Sequence, residues 1–155
     1  ADLAWYLMGN PKPVSVTGQM WTQVAAPLLK KKNLPHDIDE MAVGAIRFEQ
    51  GQMLHVDVCW DAYMEPYQDV RLFGAQGGAS LFPAKVYRGR DIMETTELGT
   101  TFGAFTPVTA YAHFVDCIRN PRKKMIASGE ENVQLIEMLD GIARSARAGK
   151  EISVG

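Results

Sequence analysis

The sequence predicts an α+β fold: an open, mostly antiparallel β-sheet of about six strands with helices packed on one face. Three observations carry this reading. Alternating apolar and polar residues fill the middle of the chain between glycine-bearing turns. Two segments of helical period follow those strands instead of alternating with them, which argues against a doubly wound sheet. The chain has 155 residues, a length that suits one domain over 1–155.

Taken in order, DLAWYLMG opens the chain with Leu3, Leu7 and Met8 on one helical face and Gly9 where a helix commonly stops. The turn NPKP leads into VSVTGQMW, where Val14, Val16, Gly18 and Met20 alternate with Ser15, Thr17, Gln19 and Trp21, a strand pattern. From Thr22 to Asp39 the periodicity vanishes, and a loop of that length is often functional. MAVGAIRFEQGQMLHVDVCW reads as two strands around Glu49 to Gln52, with Gly51 supplying the positive φ of a hairpin. Alternation puts Ile46, Phe48, Leu54, Val56 and Val58 on the helix-covered side and Arg47, His55, Asp57 and Cys59 on the other.

YQDVRLFGAQGGASLFPAKVYRGRDIMETTEL reads as three more strands, turning at Ala75 to Gly78 and near Gly89. A helix is expected from Pro107 to Arg119, capped by Thr106, with Val108, Tyr111, Val115 and Ile118 as its apolar face. A longer helix follows the Ser128/Glu131 capping box and stops at Gly149, with Val133, Ile136, Leu139, Ile142, Ala143 and Ala146 as its stripe. EISVG adds a possible last strand.

The formal charge of -2, with Lys and Arg spread through the chain, gives no electrostatic reason to expect nucleic acid or an anionic membrane surface as a partner. No apolar run reaches the length of a membrane span and the N-terminus lacks a signal-peptide pattern, so the expected compartment is the cytoplasm. Cys59 and Cys117 lie far apart and read as buried reduced thiols.

The segment GAQGG invites comparison with a phosphate-binding loop, but such a loop needs a strand before it and a helix after it. A strand-like segment, Ala79 to Tyr87, follows, so the glycines read as a hairpin turn. His55, Asp57 and Cys59 share one strand face; alternation alone produces such a row, and a metal site needs three or four converging ligands. His113 lies beside Phe114 on a helix with no nucleophile paired to it by a local signature, and reads as a packed or surface residue. Lys30 to Lys32 sit in the long loop, near Trp21 and Trp60 at strand ends. Two readings stay open for them: a solvated lysine run, or a polar and aromatic rim over a sugar or acid. Strand-end and loop positions together make Trp21, Lys30, Lys31, Trp60 and Tyr63 the candidate substrate-binding residues.

In chain order, DLAWYLMGNPKPVSVTG, AVGAIRFEQGQMLHVDVCW, LFGAQGGASLF and HFVDCIRNPRKKMIASGEENVQLIEMLDGIARSARAGKEISV resemble the C-terminal half of the Gfo/Idh/MocA oxidoreductases, the glucose-fructose oxidoreductase and inositol dehydrogenase family. The resemblance implies a glyceraldehyde-3-phosphate dehydrogenase-like C-terminal domain. It also implies a parent enzyme in which a preceding Rossmann domain binds NAD or NADP. That domain carries a Glu-Lys-Pro motif, and hydride passes between a substrate carbon and the nicotinamide while a Lys and His group moves the hydroxyl proton. The family's second domain begins with Asp-x-Gly-x-His-x-x-Asp-Leu, of which Asp2-Leu3 matches the last two residues. The catalytic Asp and His are therefore expected upstream of Ala1, with Asp2 the remaining motif position, an orienting or capping residue. By this resemblance the chain holds neither catalytic nor cofactor-binding residues and no metal. It serves a sugar, cyclitol or related polyol substrate, and forms homo-oligomers through the open sheet face. The alternative is a free-standing, non-catalytic α+β binding or scaffold domain.

Overall fold

The structure, a computed structural model, describes residues 1–23, 25–36, 38–61, 63–89, 91–98 and 107–154. The elements in order are α1 (Asp2–Leu7), β1 (Pro13–Trp21), α2 (Ala26–Lys31), β2 (Met41–Phe48), β3 (Met53–Cys59), β4 (Arg71–Gly74), β5 (Gly77–Leu81), β6 (Ala84–Arg88), β7 (Glu94–Glu97), α3 (Pro107–Arg119), α4 (Gly129–Ala148) and β8 (Ile152–Ser153). The class is α+β, as the pattern predicts, and every strand pairing is antiparallel. The strands sort into two sheets of four, ordered β3-β2-β1-β8 and β4-β5-β6-β7, in place of one sheet of about six. The chain correspondingly divides into two compact units, Ala1–Glu65 with Gly129–Gly155, and Pro66–Ser128.

In the first unit the β2–β3 hairpin turns at Gly51, whose φ is 86°, the left-handed value that glycine adopts without a steric penalty. Its register sets Ile46 opposite Leu54 and Gly44 opposite Val56, and β1 continues it with Val16 opposite Ile46 and Gly18 opposite Gly44. Helix α4 packs on this face, and Val16, Ile46 and Met138 are fully buried. Burial of each such side chain stabilises the fold by about 1.5–3 kcal/mol.

The approach of α4 is close because three glycines form notches. A Cβ on Gly18 or Gly44 would fall 2.7 Å from side-chain atoms of Ile142, and one on Gly141 would fall 3.1 Å from Val154 and 3.3 Å from Val16. The buried seam of the helix therefore runs Met138, Gly141, Ile142, Ser145. This is rotated from the predicted stripe: Val133 and Ile136 are exposed, because the seam uses small and polar residues that an apolar count overlooks. Ser145, itself buried, accepts the Gly18 N–H at 3.0 Å and donates to the Lys150 carbonyl at 2.7 Å. Gly18 lies beyond Val16, the last β1 residue level with β8, so the hydroxyl takes over where the ladder ends.

Four of the five residues assigned to the covered side, Ile46, Phe48, Leu54 and Val56, are buried, while Val58 is 56% exposed toward the far end of β3. Arg47, His55 and Asp57 are exposed on the opposite face and Cys59 is half-buried. The C-terminal strand expected from EISVG forms as β8, antiparallel to β1. Gly149, with φ of 63°, ends α4 as predicted.

In the second unit, GAQGG forms the β4–β5 hairpin. Its glycines take no left-handed φ, so turn conformation is not what requires glycine there. They are small because neighbouring backbone is close: a Cβ would lie 2.6 Å from the Tyr87 carbonyl oxygen at Gly77 and 2.9 Å from that of Leu72 at Gly78. The predicted strand Ala79 to Tyr87 is divided into β5 and β6 at Phe82–Pro83, since proline has no N–H to continue a ladder. Lys85 pairs with Glu97 across β6 and β7, and the hydrogen-bonded Arg71 guanidinium holds the Asp69 carboxyl below its ordinary value. Helix α3 spans Pro107–Arg119 as expected, but Tyr111, Val115 and Ile118 are exposed, so helical period alone did not distinguish a covered face from an open one. Thr106 and the Val108 side chain lie outside the described residues.

Gly18→Ala is expected to destabilise the chain by about 1–3 kcal/mol, because its Cβ would also meet the Val43 carbonyl oxygen at 2.8 Å, which cannot step aside as a side chain can. Ser145→Ala, which strands the Gly18 N–H, is expected to cost about 1–3 kcal/mol. Gly129→Ala, with open space around it, should be neutral or stabilise by up to about 1 kcal/mol. Urea unfolding followed by far-ultraviolet circular dichroism ranks the three.

Candidate functional site

The open end of the first sheet gathers the polar and aromatic residues of interest. Trp21, Met41 and Cys59 stand level across β1, β2 and β3, on the face away from α4. One step further, the Glu40 N–H donates to the Trp21 carbonyl at 2.9 Å and the Trp60 N–H donates to the Glu40 carbonyl at 3.2 Å. The backbone ladder thus runs past the strand ends and fixes Trp21, Glu40 and Trp60 relative to one another.

Glu40 is 1% exposed. A carboxylate this deep is unfavourable unless several donors meet it, and they do. Its Oε1 accepts the Ala25 and Ala26 N–H groups, each at 2.9 Å. His36 Nε2 lies 2.9 Å from the same oxygen, a contact that is an ion pair only with the ring protonated. The Trp60 indole N–H donates to the Asp39 carbonyl at 3.0 Å, and its ring lies 6.5 Å from that of His36 at 46°. Trp21, Gln23, Glu40 and Met41 line an open cleft of about 200 Å³. That is below the roughly 300–1,000 Å³ of complete small-molecule sites and leaves room for one small ligand.

The predicted residues are brought together only in part. Trp21 lines the cleft and Trp60 flanks its Glu40 wall. Lys30 and Lys31 lie on α2, a short helix where only a loop is expected from the sequence; both are exposed, and neither forms an ion pair among the described residues. Tyr63 is 98% exposed past the end of β3. Asp2 lies in the first turn of α1, where its charge suits the positive helix end, but Ala1 is the cap residue and no side-chain cap hydrogen bond forms. Sequence reasoning missed Gln23, His36 and Glu40. The available signal was an acidic residue directly before a strand and after a long loop, which the usual exposure of glutamate conceals.

Elsewhere, His113 Nε2 accepts the Ile126 N–H at 3.1 Å and lies 3.5 Å from the Cys117 thiol. Cys59 and Cys117 are free and half-buried instead of fully buried. Among the described residues no group of three or more His, Cys, Asp and Glu converges as a metal site, and no helix is long and apolar enough to cross a membrane. GAQGG leads into strand β5 with its glycines against strand backbone. These residues therefore do not fit a dinucleotide, whose pyrophosphate needs a helix N-terminus behind the glycines.

Residues 1–154 match the model of the Gfo/Idh/MocA oxidoreductase family, C-terminal alpha/beta domain. Among solved structures, levoglucosan dehydrogenase in complex with NADH and levoglucosan is similar at a TM-score of 0.76 and 19% identity, over 99% of this chain and 47% of that one. Aldose-aldose oxidoreductase from Caulobacter crescentus, complexed with glycerol, is similar at 0.72 and 17%, over 99% and 44%. The WlbA dehydrogenase from Bordetella pertussis, in complex with NADH and UDP-GlcNAcA, is similar at 0.67 and 20%, over 99% and 43%. No curated protein matches the sequence. At these identities the likeness concerns the fold, and the chain spans less than half the length of each of these proteins. The match over residues 1–154 assigns the chain to the Gfo/Idh/MocA oxidoreductase family as its C-terminal alpha/beta domain.

Proposed function

We propose that this domain supplies the substrate-binding wall and the oligomerisation surface of an NAD(P)-dependent oxidoreductase acting on a sugar, cyclitol or related polyol. The observation that carries the reading is the cleft at the sheet end, where an indole, a carboxamide and a hydrogen-bonded carboxylate meet. An aromatic face covers the C–H side of a sugar ring, while amide groups pair with its hydroxyls. Trp21 and Trp60 are assigned the aromatic contacts, Lys30 and Lys31 reach the rim from α2, and Tyr63 is exposed enough to meet either ligand or a neighbouring domain. Similar solved structures hold NADH with levoglucosan, or NADH with UDP-GlcNAcA, which supports both the cofactor and the ligand class.

Nicotinamide chemistry belongs in this reading to a separate nucleotide-binding domain, and the 155-residue chain alone is inactive. Its own contribution is to bind and orient the substrate and keep water from one side of it. The face of the first sheet opposite α4 carries Ser15, Thr17, Gln19, Arg47, His55 and Asp57. Such a mixed face suits a two-fold contact with a second copy, at about 800 Å² per partner if of standard size.

Three outcomes are expected. Calorimetric titration of the chain with NAD and NADP should give no saturable heat; a micromolar site would overturn the division of labour. In an enzyme completed with a nucleotide-binding domain, Trp60→Ala or Lys31→Ala should raise KM for the polyol more than KM for the cofactor, and silence at all five positions would remove them from the site. Sedimentation velocity should show a dimer for the chain and a monomer for Asp57→Arg, whose exposed position should limit its effect on stability to about 0.5 kcal/mol. A wild-type chain that stays monomeric at high micromolar concentration rules this interface out for it.

A further inference from the structure

Helix α2 and the residues around it raise a question of attachment. None of its residues is fully buried, and Leu28 is 57% exposed, so apolar burial holds this segment far less than it holds α4. Its internal order is local: Leu28 and Leu29 donate to the Ala25 carbonyl, and Leu34 returns to the Leu29 carbonyl through Asn33, which takes the left-handed φ of 52°. Beside the His36 ring's approach to Trp60, what ties the stretch Ala25–His36 to the sheet is polar. Ala25 and Ala26 N–H at one end and His36 Nε2 at the other converge on one oxygen of Glu40. The same Glu40 contributes to the cleft wall, and its backbone is locked between Trp21 and Trp60.

We propose that Glu40 is a positioning residue: its buried carboxylate, itself in the cleft wall, closes the Ala25–His36 strap at both ends and so sets how the segment that carries Lys30 and Lys31 is held to the sheet end. The ligand part of this role rests on the polyol-binding reading above. Hydrogen bonds to a carboxylate are about twice as strong as those to a neutral oxygen, and here they replace apolar burial as the means of attachment. A glutamine keeps the accepting oxygen and the shape and loses the charge. An alanine removes all three contacts.

Hydrogen–deuterium exchange on the full 155-residue chain, with myo-inositol and methyl glucoside titrated by tryptophan fluorescence, tests the role. Glu40→Ala should speed exchange across Ala25–His36 by about 10- to 100-fold while β1 and β2 amides stay protected, and should weaken polyol binding about tenfold or more. Glu40→Gln should restore most of both, and His36→Ala, which removes one contact and spares the carboxylate, should loosen the His36 end of the strap. Unchanged exchange in the strap, equal loosening of β1 and β2, or unaltered affinity in Glu40→Ala overturns the positioning role and leaves the polyol reading standing. Should Glu40→Ala fail to fold, His36→Ala decides: wild-type exchange at the His36 end of the strap overturns the role. A wild-type chain that binds neither polyol overturns the polyol reading and the ligand role with it.

Discussion

Ile142 seated over Gly18 and Gly44 is the contact on which the first unit depends. The two glycines stand level on adjacent strands, so their missing side chains make one notch across the sheet, and the Ile142 side chain fills it. Gly141 performs the reverse service on the helix, letting Val16 and Val154 approach its backbone. Close packing of this kind gains many small dispersion contacts and leaves no void. It also brings α4 near enough for the Ser145 hydroxyl to reach a strand amide, so polar satisfaction at the end of the β1–β8 pairing follows from apolar fit.

The opposite end of the sheet is organised by a different force. There the segment between β1 and β2 buries no residue of its helix and is fastened through a carboxylate. A region fastened by few polar contacts is the first to open and close, which is where ligand-binding surfaces are commonly drawn from. The rigid seam and the polar strap therefore divide the labour: one holds the strands in register, the other sets residues at their ends.

The sequence made the repeating elements legible because period-two alternation and capping signals act locally. β1, the β2–β3 hairpin, both long helices and the closing strand all stand where those signals put them. What escaped was decided by tertiary contact. The buried seam of α4 was hidden because it runs through Gly141 and Ser145, residues with little hydrophobic weight of their own. The division into two sheets was hidden because nothing local says whether β4 pairs with β3 or only with β5. At the cleft, Trp21 and Trp60 could be read as strand-end aromatics, but a buried glutamate looks like any surface glutamate until its donors are seen.

The first unit is assembled from both ends of the chain, with Pro66–Ser128 lying between its two segments in sequence. On a ribosome, β1, β2 and β3 emerge before α4, and the apolar row of Val16, Ile46 and Val56 must wait for it. At roughly 5–20 residues per second, the delay between the end of β3 and Gly129 is about 4–14 s, long against the microseconds in which a hairpin forms. During that interval three paired strands present an uncovered apolar face, the state in which sheets seek other chains. The late position of α4 thus makes covering the apolar row of the first sheet the closing step in assembling this unit, with only β8 left to follow it in the chain.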